Sequence, residues 1–135
     1  MRDQNRLIAY FSMEIGLEPH IPTYSGGLGI LAGDTLRAAA DMGLPYAGVT
    51  LLYRDGYFTQ RLVDGQQVEE PTAWKPDQIL EEMPQRGYVP IEGRQVIVRA
   101  YRLMLRGITG RYVPVYYLDT DVPENSPDDR RITRA

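Results

Sequence analysis

The chain has 135 residues, a formal net charge of −3 and no cysteine. This length fits one domain with a real core, and the lack of cysteine excludes disulfides and thiolate metal sites. The basic residues are scattered arginines apart from Lys75, which argues against a nucleic-acid binder. No apolar run reaches the ~18 residues of a membrane span. The polar residues 1–6 lack a signal-peptide core, so a cytoplasmic protein is expected.

The first part of the sequence predicts a strand, a helix and a second strand. Residues 7–12 and 46–53 are apolar runs typical of buried parallel strands. Between them, the glycine-rich residues 24–29 lead into an apolar-periodic helix, which Gly43 and Pro45 should end. This order indicates a parallel crossover. The predicted buried helix face is Leu28, Leu31, Ala32, Thr35, Leu36, Ala39 and Met42.

The second part predicts antiparallel strands joined by turns. Asp55-Gly56 and Asp64-Gly65 are hairpin dipeptides and indicate an antiparallel excursion. The strands are expected near residues 47–54, 57–63, 66–70, 95–103 and 111–118, with Pro114 marking an edge or bulge and a short helical turn at 79–83. The fold class is therefore α/β.

The end of the sequence predicts the start of a further helix. Ser126 is a good N-cap, Pro127 suits the first helical position, and Asp128 and Asp129 suit the first turn. The helix has barely begun when the sequence stops, which suggests truncation.

The glycine-rich turn is the first candidate site. A helix N-terminus carries unpaired N–H groups and a partial positive charge, and glycines let an anion approach them. Gly26 and Gly27 therefore indicate a phosphate or other anion cradle. The alternative is a tight turn in which glycine is needed only for the backbone conformation. Composition alone favours the anion cradle and the tight turn about equally.

Other constellations are weaker. Gly27, Gly29 and Ala32 match a dinucleotide-binding fingerprint with Asp55 as its ribose acid, but no strand runs directly into the first glycine. Glu14 follows the first strand, where it can orient a glycine-turn N–H or a substrate hydroxyl, or lie solvated in a loop.

Three further groups have simpler structural explanations. Asp119, Asp121 and Glu124 have the oxygen chemistry for Mg²⁺, although aspartates at a strand end more often form turns. His20, between two prolines, is interpreted as a loop residue. An aromatic group is suited either to sugar stacking or, more simply, to packing: Trp74, Tyr53, Tyr57 and Phe58.

Several separate motifs, in order, resemble the start of an α-glucan (glycogen, starch or maltodextrin) phosphorylase of the short prokaryotic form. They are Ala9–Leu17, Tyr24–Asp34, Gly43–Pro45, Leu51–Gln60 and Tyr117–Asn125, together with Glu69, Glu70 and Trp74. The resemblance covers nearly the whole chain, least clearly residues 76–110. It implies that residues 1–135 are an incomplete N-terminal Rossmann-like domain of a two-domain GT-B glycosyltransferase.

The resemblance also implies a function. Members of the family transfer a glucosyl unit from an α-1,4-glucan to inorganic phosphate, giving glucose 1-phosphate, and use pyridoxal phosphate as cofactor. It places Gly26 and Gly27 against the cofactor and substrate phosphates, Leu28 along the glucosyl site and Glu14 close behind. The resemblance implies no metal, and it is compatible with a homodimer of the parent enzyme.

The chain also departs from a complete enzyme. The cofactor lysine belongs to the family's missing C-terminal domain, and Lys75 matches no cofactor motif, so this chain alone is expected to be inactive. A stand-alone domain that binds glucan or phosphate, or docks on a partner, is one alternative. A sugar-nucleotide glucosyltransferase resembling glycogen or starch synthase is another, disfavoured because Tyr24 and Ile30 stand where synthases have lysine and aspartate.

Overall fold

The computed structural model describes residues 6–55, 58–71 and 74–134. The chain forms a central mixed sheet with one long helix on it, and the α/β class is confirmed. The strands are β1 (Ile8–Phe11), β2 (Tyr46–Leu51), β3 (Phe58–Val63), β4 (Gln66–Pro71), β5 (Glu81–Ile91), β6 (Arg94–Arg106) and β7 (Tyr112–Asp119). The helices are α1 (Gly27–Asp41), the short α2 (Pro76–Ile79) and a 3₁₀ turn at Asp129–Arg131.

The central sheet has the order β1-β2-β7-β6-β5. β1 pairs parallel with β2, and β2 pairs parallel with β7, so the predicted strand–helix–strand crossover is present. β6 pairs antiparallel with both β7 and β5. The carboxyl ends of β1, β2 and β7 therefore meet at one edge of the sheet, which is where ligand clefts of open α/β sheets lie.

The burial predicted for the first strand is wrong. Ile8 and Phe11 of β1 are 45% and 74% exposed. β1 is the edge strand of the sheet, and within the described residues α1 is the only long helix that packs on it. The apolar run forms the predicted parallel strand, but its composition alone does not bury it.

Helix α1 has the predicted position but not the predicted face. Its buried residues are Gly29, Ala32, Gly33, Leu36, Ala39 and Ala40. Leu28, Leu31 and Met42 are instead exposed. The small residues of the helix face inward because the connector after β1 passes very close to the helix. A Cβ added at Gly33 would fall on the carbonyl oxygen of Gly16. Close backbone contact, rather than the bulkiest apolar stripe, sets its rotation.

The end of α1 follows the sequence signal. Gly43 has φ +65°, the left-handed conformation that glycine adopts without a Cβ penalty. Its N–H donates to the Ala40 carbonyl at 3.1 Å, and the Leu44 N–H donates to the Ala39 carbonyl at 2.9 Å. The second bond closes the wide ring typical of a Schellman cap.

The helical turn predicted at residues 79–83 is wrong. The helical residues are Pro76–Ile79, and the chain then extends into β5, a strand that the sequence did not indicate. Gly87, Pro84 and Pro90 all disfavour a strand. Pairing of β5 with the long β6 overrides that local preference.

Pro114 does not mark an edge. It lies in β7, between β2 and β6. It is opposite Met104 of β6, whereas the parallel register with β2 begins one residue later, at Val115. The missing proline N–H thus falls before the β2 pairing starts, which makes an interior strand compatible with proline.

The predicted antiparallel excursion forms a separate two-stranded sheet. β3 and β4 pair antiparallel around the Asp64-Gly65 turn, as predicted. β2 does not join them, because both of its edges pair with β1 and β7. The Asp55-Gly56 turn falls partly outside the described residues, since Gly56 is not among them.

The core lies between α1, the connector after β1, and the facing side of β7 and β6. Its largest fully buried side chains include Tyr101, Tyr117, Ile15, Ile21 and Leu36. At the end of the chain, Ser126 Oγ accepts the Asp129 N–H at 3.2 Å, but the element that follows is a 3₁₀ turn whose N-cap is Asp128 and not the predicted Ser126. In the described part of the chain, no helix has the length and apolar character needed to cross a membrane.

Candidate functional site at the start of helix α1

The glycine turn lies beside the carboxyl edge of the parallel strands. The connector after β1 returns to Gly26, which is the N-cap of α1 and has an extended backbone, with φ −160°. No side chain caps the helix start. The first hydrogen bond of the helix runs from the Ile30 N–H to the Gly26 carbonyl at 3.3 Å. The N–H groups of the first turn therefore precede the helical ladder and point outward.

Gly26 and Gly27 are open to solvent. A Cβ added at either residue would meet nothing within 4 Å. The neighbouring Leu28 is 53% exposed. Packing does not require glycine at these two positions, but free approach to the helix-start N–H groups does. The anion-cradle interpretation is thus compatible with the geometry at Gly26 and Gly27.

Gly29 and Gly33 have a different role. A Cβ at Gly29 would lie 2.6 Å from Cβ of Tyr24 and 3.3 Å from Oε2 of Glu14. The Gly16 N–H donates to the Gly29 carbonyl at 2.8 Å. The tight-packing interpretation therefore holds for this pair. The match of Gly27, Gly29 and Ala32 to a dinucleotide fingerprint is explained by helix packing as far as Gly29 and the buried Ala32 are concerned.

Glu14 lies next to the turn. Its Oε2 accepts the Ser25 N–H at 3.3 Å, and its Oε1 lies 3.4 Å from Ser25 Oγ. Ser12 Oγ donates to the Glu14 carbonyl at 2.7 Å, which fixes the backbone before it. Glu14 thus holds the residue directly before Gly26. Glu14, Gly26, Gly27 and Leu28 lie in one short stretch of surface.

Tyr53 is a residue of this region that the sequence did not single out for it. It follows β2 at the same edge of the sheet and has φ +41°. Its hydroxyl donates to the Met13 carbonyl at 2.8 Å. Burial, and then the nearby Glu14 carboxylate, raise the pKa of Tyr53, so its hydroxyl keeps its proton. The left-handed backbone of a tyrosine has no signal in the sequence.

The Asp119 region is an ion-pair network. Asp119 is fully buried and accepts hydrogen bonds from Arg54 at 2.7 Å, Arg99 at 2.7 Å and the Asp121 N–H at 3.1 Å. Burial by itself would raise the pKa of Asp119, but the two guanidinium groups outweigh it and hold the pKa below its usual value. Asp121 pairs with Arg130 at 2.7 Å. The carboxylates weighed above as magnesium ligands are thus engaged by arginines.

The remaining candidates have structural partners. Asp55, considered as a ribose acid, pairs with Arg134 at 3.0 Å on the surface. Trp74 packs against the core and donates its indole N–H to the Tyr53 carbonyl at 3.1 Å. His20 is exposed in the connector, as expected of a loop residue. Of the aromatic group considered for sugar stacking, Tyr57 and the side chain of Phe58 lie outside the described residues. No group of three His, Asp or Glu in the described ranges is arranged to hold a metal ion.

These features define an α/β protein with an open, glycine-rich helix start beside the carboxyl edge of its parallel strands. A sequence model of the carbohydrate phosphorylase family matches residues 15–101. The chain is 45% identical to the maltodextrin phosphorylase of Thermococcus litoralis and 43% identical to the glycogen phosphorylase of Mycobacterium tuberculosis, in each case over 93% of this chain and 15% of the relative. It is 35% identical to the glycogen phosphorylase of Aquifex aeolicus, over 93% of this chain and 19% of the relative.

The chain therefore belongs to the carbohydrate phosphorylase family, as the sequence motifs indicated. It spans less than a fifth of the length of these relatives.

Proposed function

We propose that this chain is the N-terminal part of an α-glucan phosphorylase, within the Rossmann-like first domain of a two-domain GT-B enzyme. The complete enzyme would transfer a glucosyl unit from an α-1,4-glucan to inorganic phosphate and release glucose 1-phosphate. The family match over residues 15–101 supports this. So does a parallel β1-α1-β2 unit with its open helix start at the carboxyl edge of the sheet.

The observation that carries the proposal is the separation of roles among the glycines. Gly29 and Gly33 are required by packing, whereas Gly26 and Gly27 face open space. Open glycines at the first turn of a fifteen-residue helix leave its N–H groups accessible to an anion. In a phosphorolytic enzyme, the anion to be bound is a phosphate group.

Each residue of the site would have its own role. Gly26 and Gly27 would donate backbone N–H groups to a phosphate oxygen, which stabilises its charge. Glu14 would hold Ser25 and thereby the turn, through the 3.3 Å bond to the Ser25 N–H. Leu28, 53% exposed next to the turn, would line the glucosyl site.

The open turn is also compatible with a phosphate group of pyridoxal phosphate, the cofactor that the family implies. A Cβ at Gly26 or Gly27 would intrude on that space, which is empty of protein atoms within 4 Å. When bound, the cofactor would supply a phosphate group for proton transfer. Its attachment lysine is not expected in these residues, because Lys75 is exposed at the start of α2, away from the turn in the sequence.

A hybrid enzyme tests the proposal directly. In this hybrid, the present chain replaces the matching segment of the Thermococcus litoralis maltodextrin phosphorylase, which is 45% identical to it. We expect the hybrid to form glucose 1-phosphate from maltodextrin and phosphate, and the purified 135-residue chain to form none. The host enzyme without the segment is the negative control. A folded hybrid that releases no glucose 1-phosphate would contradict the proposal.

A further inference from the structure

Tyr53 has an unusual backbone conformation for its residue type. Among the described residues, three non-glycine residues have positive φ: Tyr53, Asp64 and Glu92. Asp64 and Glu92 lie in the tight turns between paired strands, where aspartate and other turn residues adopt this conformation. Tyr53 follows the interior strand β2 at the carboxyl edge. Such strain in a bulky residue persists only where surrounding contacts hold it.

Two hydrogen bonds hold Tyr53 in this conformation. The Trp74 indole N–H donates to the Tyr53 carbonyl at 3.1 Å, and the Tyr53 hydroxyl donates to the Met13 carbonyl at 2.8 Å. Thr50, from within β2, also donates its hydroxyl to the Met13 carbonyl, at 3.3 Å. The hydroxyls of Thr50 and Tyr53 therefore converge on one backbone oxygen of the connector. Tyr53 is buried, so solvent does not readily replace its bond.

Met13 connects this contact to the glycine turn. The residue after Met13 is Glu14, whose carboxylate accepts the Ser25 N–H and lies 3.4 Å from the Ser25 hydroxyl. Ser25 directly precedes Gly26, the N-cap of α1. A displacement of the Met13 carbonyl would therefore move Glu14, and through Ser25 it would move the open turn. Each step of this route is a covalent neighbour or a hydrogen bond.

We propose that Tyr53 is a positioning residue for the glycine turn, acting through the Met13 carbonyl and Glu14. This inference rests on the proposed function, because it gives the turn its role in phosphate binding. The strained backbone of Tyr53 aims its hydroxyl at the connector, and the indole of Trp74 stabilises that conformation. Tyr53 does not itself contact phosphate in this account.

Kinetics of the hybrid enzyme test the role of the hydroxyl. Tyr53→Phe removes only that donor. We expect the KM for phosphate to rise about fivefold, as the loss of one partly buried hydrogen bond predicts, with the KM for maltodextrin changed less than about twofold. Tyr88→Phe, at an exposed tyrosine of β5, is the matched control and should change neither. A rise in the maltodextrin KM alone would overturn the proposal, because the hydroxyl would then act at the sugar.

A second measurement is independent of catalysis. In the same hybrid, amide hydrogen exchange at Ser25, whose N–H donates to Glu14, should quicken about fivefold in Tyr53→Phe and stay unchanged in Tyr88→Phe. Unchanged exchange at the turn would refute the positioning role even in an active enzyme. If exchange quickens but the unmodified hybrid makes no glucose 1-phosphate, the positioning role stands and the proposed function fails.

A double variant distinguishes one route from two independent effects. Glu14→Gln weakens the charged acceptor for the Ser25 N–H. If Tyr53 acts through Glu14, combining Tyr53→Phe with Glu14→Gln should raise the phosphate KM no more than the larger single change does. Fully multiplicative effects would contradict the proposed route.

Discussion

The guanidinium of Arg54 lies 2.7 Å from Oδ2 of the buried Asp119 and joins the end of β2 to the end of β7. Arg99 of β6 contacts the same carboxylate oxygen at 2.7 Å. The Tyr101 ring lies 5.9 Å from Arg54 and 5.3 Å from Arg99, centroid to guanidinium carbon. One carboxylate thus connects three neighbouring strands at the edge that also carries the glycine turn. These contacts hold the ends of the three strands together at that edge.

Removing the charge of Asp119 should destabilise this edge strongly. Asp119→Asn leaves Arg54 and Arg99 facing a neutral amide in a buried place, and breaking such a pair costs about 3 kcal/mol. Native-state hydrogen exchange of β2 and β7 in the hybrid enzyme would measure the loss in local free energy of unfolding.

Asp55→Asn is the matched control for that change. Asp55 also pairs with an arginine, Arg134, but both side chains are about half exposed, at 52% and 50%. Exposed pairs contribute little, so the control should lose about 0.5 kcal/mol or less. Equal losses of stability in the two variants would show that burial does not strengthen the Asp119 ion pair.

The same carboxylate predicts a dependence of stability on pH. The pKa of Asp119 is lowered in the folded chain, so its contribution is fully present above the ordinary aspartate pKa of about 3.9. The contribution is lost as pH falls from there through the lowered folded pKa. Exchange-derived stability of β7, corrected for the intrinsic effect of pH, should fall more steeply in this range for the wild type than for Asp119→Asn. Parallel curves for the two proteins would refute this.

A methyl group at Gly33 should displace α1 from the connector. Gly33→Ala would drive its Cβ into the Gly16 carbonyl, and overpacking of this kind costs about 1–3 kcal/mol. This exceeds the gain of up to about 1 kcal/mol that alanine brings to a helix interior. Exchange of the α1 amides in the hybrid would report the loss.

Gly87→Ala provides the comparison for Gly33→Ala. Gly87 lies in β5, has ordinary backbone angles, and a Cβ added there meets nothing within 4 Å. Its replacement should change the free energy of unfolding by less than about 0.5 kcal/mol. If Gly33→Ala were equally silent, the close contact of α1 with Gly16 would not be real.

For α1, the sequence predicted the position of the helix better than the face that the helix buries. The bounds of α1 and its Gly43 cap follow from periodicity and one glycine. Its buried face does not, because hydrophobic periodicity gives no weight to Gly29 and Gly33, whose missing side chains allow the closest contact. The apolar character of Leu28 and Leu31 predicts that both lie in the core, but both are exposed. Backbone proximity between distant segments is not encoded in a local pattern.

Long-range pairing explains the other misses. β5 has the weak strand propensity that Pro84, Gly87 and Pro90 give it, and it exists because β6 pairs along it. Position and motif are enough to name Glu14, Gly26 and Gly27 as candidate site residues, and their role stays a prediction. The contact of Tyr53 with Met13 joins residues forty positions apart, and no spacing in the sequence indicates it.

The most direct test of the account is the affinity of the hybrid enzyme for phosphate when Gly27 becomes aspartate. An acid in the first helical turn interacts favourably with the helix dipole, so Gly27→Asp should leave folding intact while its charge repels an anion at the turn. We predict that the KM for phosphate rises at least about tenfold, equivalent to about 1.4 kcal/mol, whereas Gly87→Asp on the exposed part of β5 leaves it unchanged. An unaltered phosphate KM in a folded Gly27→Asp enzyme would contradict the assignment of the turn as a phosphate site.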